Sequence, residues 1–194
     1  MYKVNEIFYS LQGEGIRAGT PNIFIRFSGC NLQCRKEIEG FDCDTEFTSG
    51  TVMNIDTLVQ AISEYPCQSV IFTGGEPALQ LDSTLVKVLR DLGYYLAIET
   101  NGTKILPDGI DWVCCSPKSA EHTLRVGKVS EVKYVRHSSQ GIPKPSLVAD
   151  YYLISPAWDA EGLSEENLRH CVQLVKDNPM WRLSIQQHKV WGVQ

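Results

Sequence analysis

Of the chain's 194 residues, 43% are apolar and 21% charged, an ordinary globular composition on the usual scale of roughly 100–200 residues per domain. No run of about 18 apolar residues occurs, which excludes a spanning helix. Eighteen basic and 23 acidic residues give a formal charge of −5 without a long block of either sign, which argues against a protein that lives on a nucleic-acid backbone.

The opening MYKVNEIFYS has neither the basic segment nor the apolar core of an export signal. A cytoplasmic protein with a single domain over residues 1–194 is therefore expected. Leu11-Gln12-Gly13-Glu14-Gly15 is a flexible polar segment ahead of the first clear strand, residues 22–27 (NIFIRF), which ends at Ser28-Gly29-Cys30. Arg26 stands between Ile25 and Phe27 and so points to the opposite face from both. An arginine there is either an edge-strand surface residue, the commoner case, or a carboxylate binder aimed into a cavity.

Beyond a loop with three cysteines, Ile55, Leu58, Val59 and Ile62 recur at helical spacing behind Asn54 as N-cap. The run 69–72 (SVIF) leads into Thr73-Gly74-Gly75-Glu76-Pro77. Leu81, Leu85, Val88, Leu89 and Leu92 predict a second helix, with Gly93 as its stop. Residues 94–98 (YYLAI) run into Glu99-Thr100-Asn101-Gly102, and 112–115 (WVCC) into Ser116-Pro117-Lys118. Strands are expected at 131–135 and 151–154. A helix capped by Ser164 follows, with Leu168, Cys171, Val172 and Val175 on one face. The last strand is 182–185, leading into Gln186-Gln187-His188-Lys189, and residues 136–147 mark a mobile loop.

Strands alternating with helices favour a parallel sheet, and the polar, glycine-bearing segments repeatedly follow a strand's carboxyl end. In a (β/α) barrel that edge builds the active site, but a full eight-stranded barrel typically needs about 250 residues. The expected fold is therefore an α/β one: a partial, incomplete TIM-like (β/α) barrel with mostly parallel strands. A doubly wound open sheet obeys the same edge rule.

The chain has seven cysteines. Cys67, Cys114, Cys115 and Cys171 lie in or beside apolar runs and read as packing. Cys30, Cys34 and Cys43 fall within fourteen residues. A structural zinc site closes with four ligands, and His122, His137, His170 and His188 are all distant in sequence. Three thiolates on one loop leave an open metal position, which favours a catalytic iron–sulfur cluster over zinc. The glycines of Thr73-Gly74-Gly75-Glu76 let backbone approach a ligand, and Glu76 can accept from an ammonium; a plain strand-to-helix turn would use the same residues. Asp44 and Thr45 offer oxygens to a hard cation such as Mg²⁺ or serve as a loop cap.

The cysteine triplet, the GGE turn and the ETNG segment together resemble the radical S-adenosylmethionine (SAM) enzymes. EIFYSLQGEG, GTPNIFIRFSGCNLQC, CDTEF, FTGGEPALQ, ETNGT, SPK and QQHKVWGVQ more closely resemble the 7-carboxy-7-deazaguanine synthase family, from residue 6 onwards. The resemblance implies a [4Fe–4S] cluster on Cys30, Cys34 and Cys43, with SAM chelating the fourth iron. Reduction would release a 5′-deoxyadenosyl radical that takes a hydrogen from C6 of 6-carboxy-5,6,7,8-tetrahydropterin. Ring contraction and loss of ammonia would give 7-carboxy-7-deazaguanine, for queuosine or another 7-deazapurine, and SAM would be regenerated.

By the same resemblance, Thr45 holds Mg²⁺, and Leu11, Gln12, Gly13, Arg26, Thr73 and the chain end at Gln194 bind substrate. Gly75, Ser116, Pro117 and Lys118 contact SAM, joined by Glu76, Glu99, Asn101 and Ser155. A reductant protein of flavodoxin or ferredoxin type and a homodimer are implied. The chain departs from the common C-x3-C-x2-C spacing with C-x3-C-x8-C. Asp42 stands where an aromatic residue usually packs on adenine, with Phe41 one place earlier, and Ser155-Pro156-Ala157-Trp158-Asp159 replaces a Gln-Pro segment. A glycyl-radical-enzyme activase and a non-catalytic, zinc-stabilised binding domain are the competing readings.

Overall fold

Apolar residues in the second strand alternate, and the alternation decides the architecture. In the computed structural model, which describes residues 1–32, 34, 43, 45–159 and 162–194, Ile23, Ile25 and Phe27 are fully buried on one face while Phe24 and Arg26 take the other. The strands are β1 (Tyr2–Leu11), β2 (Pro21–Phe27), β3 (Thr51–Met53), β4 (Ser69–Gly74), β5 (Tyr95–Thr100), β6 (Trp112–Cys115), β7 (Val129–Arg136), β8 (Ala149–Pro156) and β11 (Trp181–Leu183), with a small hairpin β9 (Trp158–Asp159) and β10 (Gly162–Leu163). The helices are α1 (Ile55–Ser63), α2 (Ser83–Asp91), α3 (Glu165–Asp177) and α4 (Gln187–Trp191). Among the described residues, no helix is long and apolar enough to cross a membrane.

Nine strands form one sheet in the order β11-β8-β7-β6-β5-β4-β2-β1-β3. All pairs from β2 to β11 are parallel, and β1 pairs antiparallel with both β2 and β3. The edges β11 and β3 do not pair with each other. The sheet is thus the open, mostly parallel one expected of a partial barrel.

Helices cover one face. Leu58 and Ile62 of α1 and Leu85 and Leu89 of α2, all fully buried, pack on Ile23, Ile25, Phe27, Phe72, Leu96 and Ile98. Cys171 of α3 joins Cys115, Val132, Tyr134, Ile154 and Trp181 in a second cluster. Caps start the helices: Asn54 Oδ1 accepts from Thr57 N at 2.8 Å, Asp82 Oδ1 from Leu85 N at 2.9 Å and Ser164 Oγ from Asn167 N at 3.4 Å.

Two expected buried stripes differ in detail. Leu92 is 50% exposed because α2 stops at Asp91, leaving Leu92 as its cap, and Val86 is buried instead. Val172 is 37% exposed because α3 turns Cys171 inward. β1 was not expected as a strand. A bulge between Val4 and Glu6 shifts its phase, so its apolar alternation breaks mid-strand. Leu89→Ala should cost about 2–5 kcal/mol of unfolding free energy through the cavity it leaves. Leu92→Ala should stay within about 0.5 kcal/mol, and denaturant titration of both variants checks the contrast.

Candidate active site at the carboxyl edge of the sheet

Because seven strands share one direction, the segments leaving their carboxyl ends collect on one edge. Gly29 and Cys30 follow β2 there, and the GGE turn of β4 presses against them. A Cβ on Gly75 would lie 2.1 Å from Gly29 O and 2.9 Å from Cys30 Cβ; one on Gly74, at φ +132°, would lie 2.1 Å from Phe27 O. Only glycine fits at either position. Glu76 N then donates to Gly29 O at 2.9 Å.

The Glu76 carboxylate is fully buried and accepts from Thr100 Oγ1 at 2.7 Å, Asn101 N at 2.7 Å and Ala78 N at 3.0 Å. Burial pushes its pKa up against these three donors. They leave one of about four acceptor positions for a ligand. Asn101 Nδ2 donates to Asn31 Oδ1 at 3.2 Å, tying the end of β5 to the residue after Cys30.

Cys30 and Cys34 are half-buried, Cys43 is exposed, and none is in a disulfide. Burial, and less strongly the neighbouring Glu76 and Cys43, push the Cys30 thiol up. Three thiols on a loop rooted against a glycine turn fit the thiolate preference of an iron–sulfur cluster. Thr45 is half-buried, and its carbonyl faces Cys43 Sγ at 3.8 Å. Asp44, Phe41 and Asp42 lie outside the described residues.

After β6, Ser116 and Pro117 are half-buried and Ser116 Oγ accepts from Lys118 Nζ at 2.8 Å. Burial, then the nearby Lys133 ammonium, pull the Lys118 pKa down. Ser155 is 4% exposed on β8.

A second group gathers around Arg26, for which the residue pattern alone left a surface position and a carboxylate binder open. The guanidinium is half-buried on the helix-free face, donates from Nε to Glu6 Oε1 at 2.7 Å, and lies 5.6 Å from the Phe8 ring centre. Thr73 is its register partner on β4. Glu6 Oε2 also accepts from Gln194 Nε2 at 2.6 Å, and the Gln194 carbonyl accepts from Ser10 Oγ at 2.6 Å. Glu6 links Arg26 to Gln194, a role hidden in the sequence by the unrecognised β1.

The segment 12–17 runs across the helix-free face. Gln12 Nε2 donates to Glu99 Oε1 at 2.9 Å, Glu14 pairs with Lys133, Gly15 N donates to Ser184 Oγ at 2.9 Å, and Ile16 N to Glu131 Oε2 at 2.8 Å. Gly13 packs under His188, and its carbonyl accepts from Gln187 N at 2.8 Å. Gln186 donates to Glu14 Oε1 at 3.0 Å, while its own Oε1 is buried without a hydrogen-bond partner among the described residues. Burial opposes ionisation of Glu14, but Lys133, Gln186 and His188 outweigh it and hold its pKa at about 2. Burial dominates at Glu99 and pushes it up, although Lys133 opposes the shift. Glu131, Lys133, Ser184, Gln186 and His188 had not been assigned to a site from the sequence.

Leu11 ends β1 opposite Pro21, at the amino end of β2. A cavity of about 220 Å³ lined by Leu106, Ile110, Val113 and Val126 includes none of the expected site residues.

This fold, with thiols and a glycine turn on its carboxyl edge, defines an iron–sulfur enzyme of the partial-barrel type. The family described as a 4Fe-4S single cluster domain matches residues 11–127. The chain is 45% identical over 194 residues to the 7-carboxy-7-deazaguanine synthase of Bacteroides thetaiotaomicron, covering all of both chains. It is 41% and 40% identical to the synthases of Nitratidesulfovibrio vulgaris and Burkholderia multivorans, covering 99% of each chain. The crystal structure of QueE from Escherichia coli superposes with a TM-score of 0.71 at 25% identity, covering 96% of this chain and 94% of that one. The chain belongs to the 7-carboxy-7-deazaguanine synthase family, and is a radical SAM enzyme with a [4Fe–4S] cluster and SAM as cofactors.

Gly75→Ala should break the contact between the GGE turn and the cysteine loop. The variant should hold markedly less iron after anaerobic reconstitution than wild type, measured as iron per chain.

Proposed function

We propose that this site converts 6-carboxy-5,6,7,8-tetrahydropterin to 7-carboxy-7-deazaguanine with release of ammonia, in queuosine or 7-deazapurine biosynthesis. The observation that supports it best is the shared rim: the root of the cysteine loop, the GGE turn and a half-buried arginine stand on neighbouring strands β2 and β4. The relatives' names point to the same product. Cys30, Cys34 and Cys43 hold the cluster, and Thr45 gives Mg²⁺ an oxygen ligand. Gly75, Glu76, Ser116, Pro117, Lys118, Asn101 and Ser155 receive SAM.

When bound, the cluster and SAM supply the radical that removes a hydrogen atom from the substrate. The protein's part is to bind, orient and exclude water. Arg26 takes the substrate carboxylate through charge-assisted hydrogen bonds, with Thr73 and Gln194 beside it. Leu11, Gln12 and Gly13 carry the ring system, and Glu99, which accepts from Gln12, stands with the SAM contacts. A single domain over residues 1–194, a cytoplasmic homodimer and a flavodoxin- or ferredoxin-type reductant complete this reading. A glycyl-radical activase would act on a protein and does not call for both the QGEG segment and Arg26, and a zinc domain needs a fourth ligand.

The test is turnover of the carboxylated pterin by the anaerobically reconstituted protein with SAM, Mg²⁺ and reductant, read as deazaguanine by mass spectrometry. Cys34→Ala should lose both the brown iron–sulfur absorption and the product. A colourless wild-type protein carrying one zinc would defeat the assignment. Arg26→Ala should weaken pterin binding about 10–100-fold, the worth of hydrogen bonds to a charged group; full activity would remove Arg26 from the site.

A further inference from the structure

Lys133 sits mid-strand in β7 with 6% of its surface exposed. Alternation sends Val132 and Tyr134 to the helix-covered core and leaves Glu131 and Lys133 on the other face. Its ammonium pairs with Glu14 and lies 3.7 Å from Glu99 Oε2. Glu99 in turn accepts from Gln12, and Glu14 from Gln186. One cation thus ties the polar segment after β1 to β5, to β7 and to the chain after β11.

Packing does not call for a charge here. An apolar side chain of similar volume would fill the position without the desolvation cost of an ammonium. The cation is needed by the carboxylates. Without it, Glu14 and Glu99 would face each other and Glu131 as buried like charges.

We propose that Lys133 is a positioning residue for substrate binding: its ammonium fixes the Glu14 and Glu99 carboxylates, and through them Gln12 and Gly13, in the arrangement that receives the pterin. This rests on the reading of Gln12 and Gly13 as substrate contacts. The groups facing Glu14 are Lys133 on β7, Glu99 on β5, Lys118 after β6, and Gln186 and His188 from the chain after β11, while Glu131 on β7 and Cys114 on β6 face Glu99. Burial raises Glu14, and Lys133 is the strongest influence against it. Replacing the ammonium by a neutral chain therefore removes the strongest influence that holds Glu14 ionised and moves its pKa upward.

The experiment compares anaerobically reconstituted wild type, Lys133→Met, Lys133→Arg, Glu14→Gln and the Lys133→Met/Glu14→Gln double variant. Iron content, SAM affinity, and KM and kcat for the carboxylated pterin are measured between about pH 6 and about pH 8. Lys133→Met should raise the pterin KM about tenfold or more, increasingly so as pH falls, with a smaller change in kcat. Iron content and SAM affinity should stay within about twofold, and Lys133→Arg should recover most of the KM. Glu14→Gln should also raise KM, and the double variant should be no worse than the worse single variant, because both act through one contact.

An unchanged KM with a flat pH profile in Lys133→Met overturns the proposal. If that variant does not fold, the Arg and Gln variants decide: a Lys133→Arg protein whose pterin KM is raised about tenfold or more, or a wild-type KM in Glu14→Gln, overturns it equally. Wild-type protein that leaves the pterin unconverted overturns the functional reading and this proposal with it. Wild-type turnover alongside an unaffected Lys133→Met overturns this proposal alone.

Discussion

Once helices cover one face of a parallel sheet, everything on the other face must find its own partners. Here that face is split along the strands. Phe8, Phe24, Ile71, Ala97 and Trp112 form a small apolar layer, with the Phe8 and Phe24 rings stacked at 4.9 Å. Beyond it stand Glu99, Cys114, Glu131 and Lys133, which the same alternation forces inward. Groups of this kind are tolerated away from water only when paired or hydrogen-bonded. The segment 12–17 meets that demand. Arg17 reaches Asn22 and Ser69 near the amino ends of β2 and β4, and stacks over the Tyr95 ring at 4.8 Å. Glu14 and Ile16 reach β7. A loop of six residues, tied by charge and backbone donors, stands in for the strands an incomplete barrel lacks.

The carboxyl edge obeys a different constraint, one of distance. The GGE turn lies so close to Gly29 and Cys30 that side chains at 74 and 75 are excluded. The Glu76 carboxylate then spans to Thr100 and Asn101, so β2, β4 and β5 share one rigid corner at the base of the cysteine loop. Cutting one of three hydrogen bonds to a buried carboxylate leaves a donor unsatisfied, at a cost of about 1–3 kcal/mol. The corner therefore resists small displacements at the root of the cysteine loop.

Much of this was legible in the sequence where chemistry is local. The cysteine triplet, the TGGEP turn and the Asn54 and Ser164 caps carry their meaning in a few adjacent residues, and strands followed by polar segments gave the parallel sheet and its active edge. What stayed hidden depends on pairing across the fold. In EVKYVR, Glu131 and Lys133 alternate with apolar residues and look like the solvated side of a strand; only the positions of β5 and of the segment 12–17 make them a buried pair. Arg26 stayed undecided between surface and cavity for the same reason, since its partner Glu6 comes from β1. Glu6 was lost because the bulge in β1 breaks the period that would have marked it. Gln186 and His188 acquire their neighbours only when the chain after β11 turns back onto Gly13.

Two ion pairs on one face show how burial separates a fixed contact from an exchangeable one. The Arg26 and Glu6 side chains keep 22% and 34% of their surface exposed, whereas Lys133 keeps 8%. A partly exposed pair is screened and contributes at most about 1 kcal/mol. Breaking a buried pair by removing one partner costs about 3–5 kcal/mol. On the proposed role of Arg26, a ligand carboxylate arriving there would replace one carboxylate by another, so the guanidinium would not go unpaired, and Glu6 would keep its bond to Gln194. No such exchange is open to Glu14, whose release would strand an ammonium in the interior. The helix-free face thus combines a partly exposed pair that exchanges at little cost with a buried charge cluster that does not.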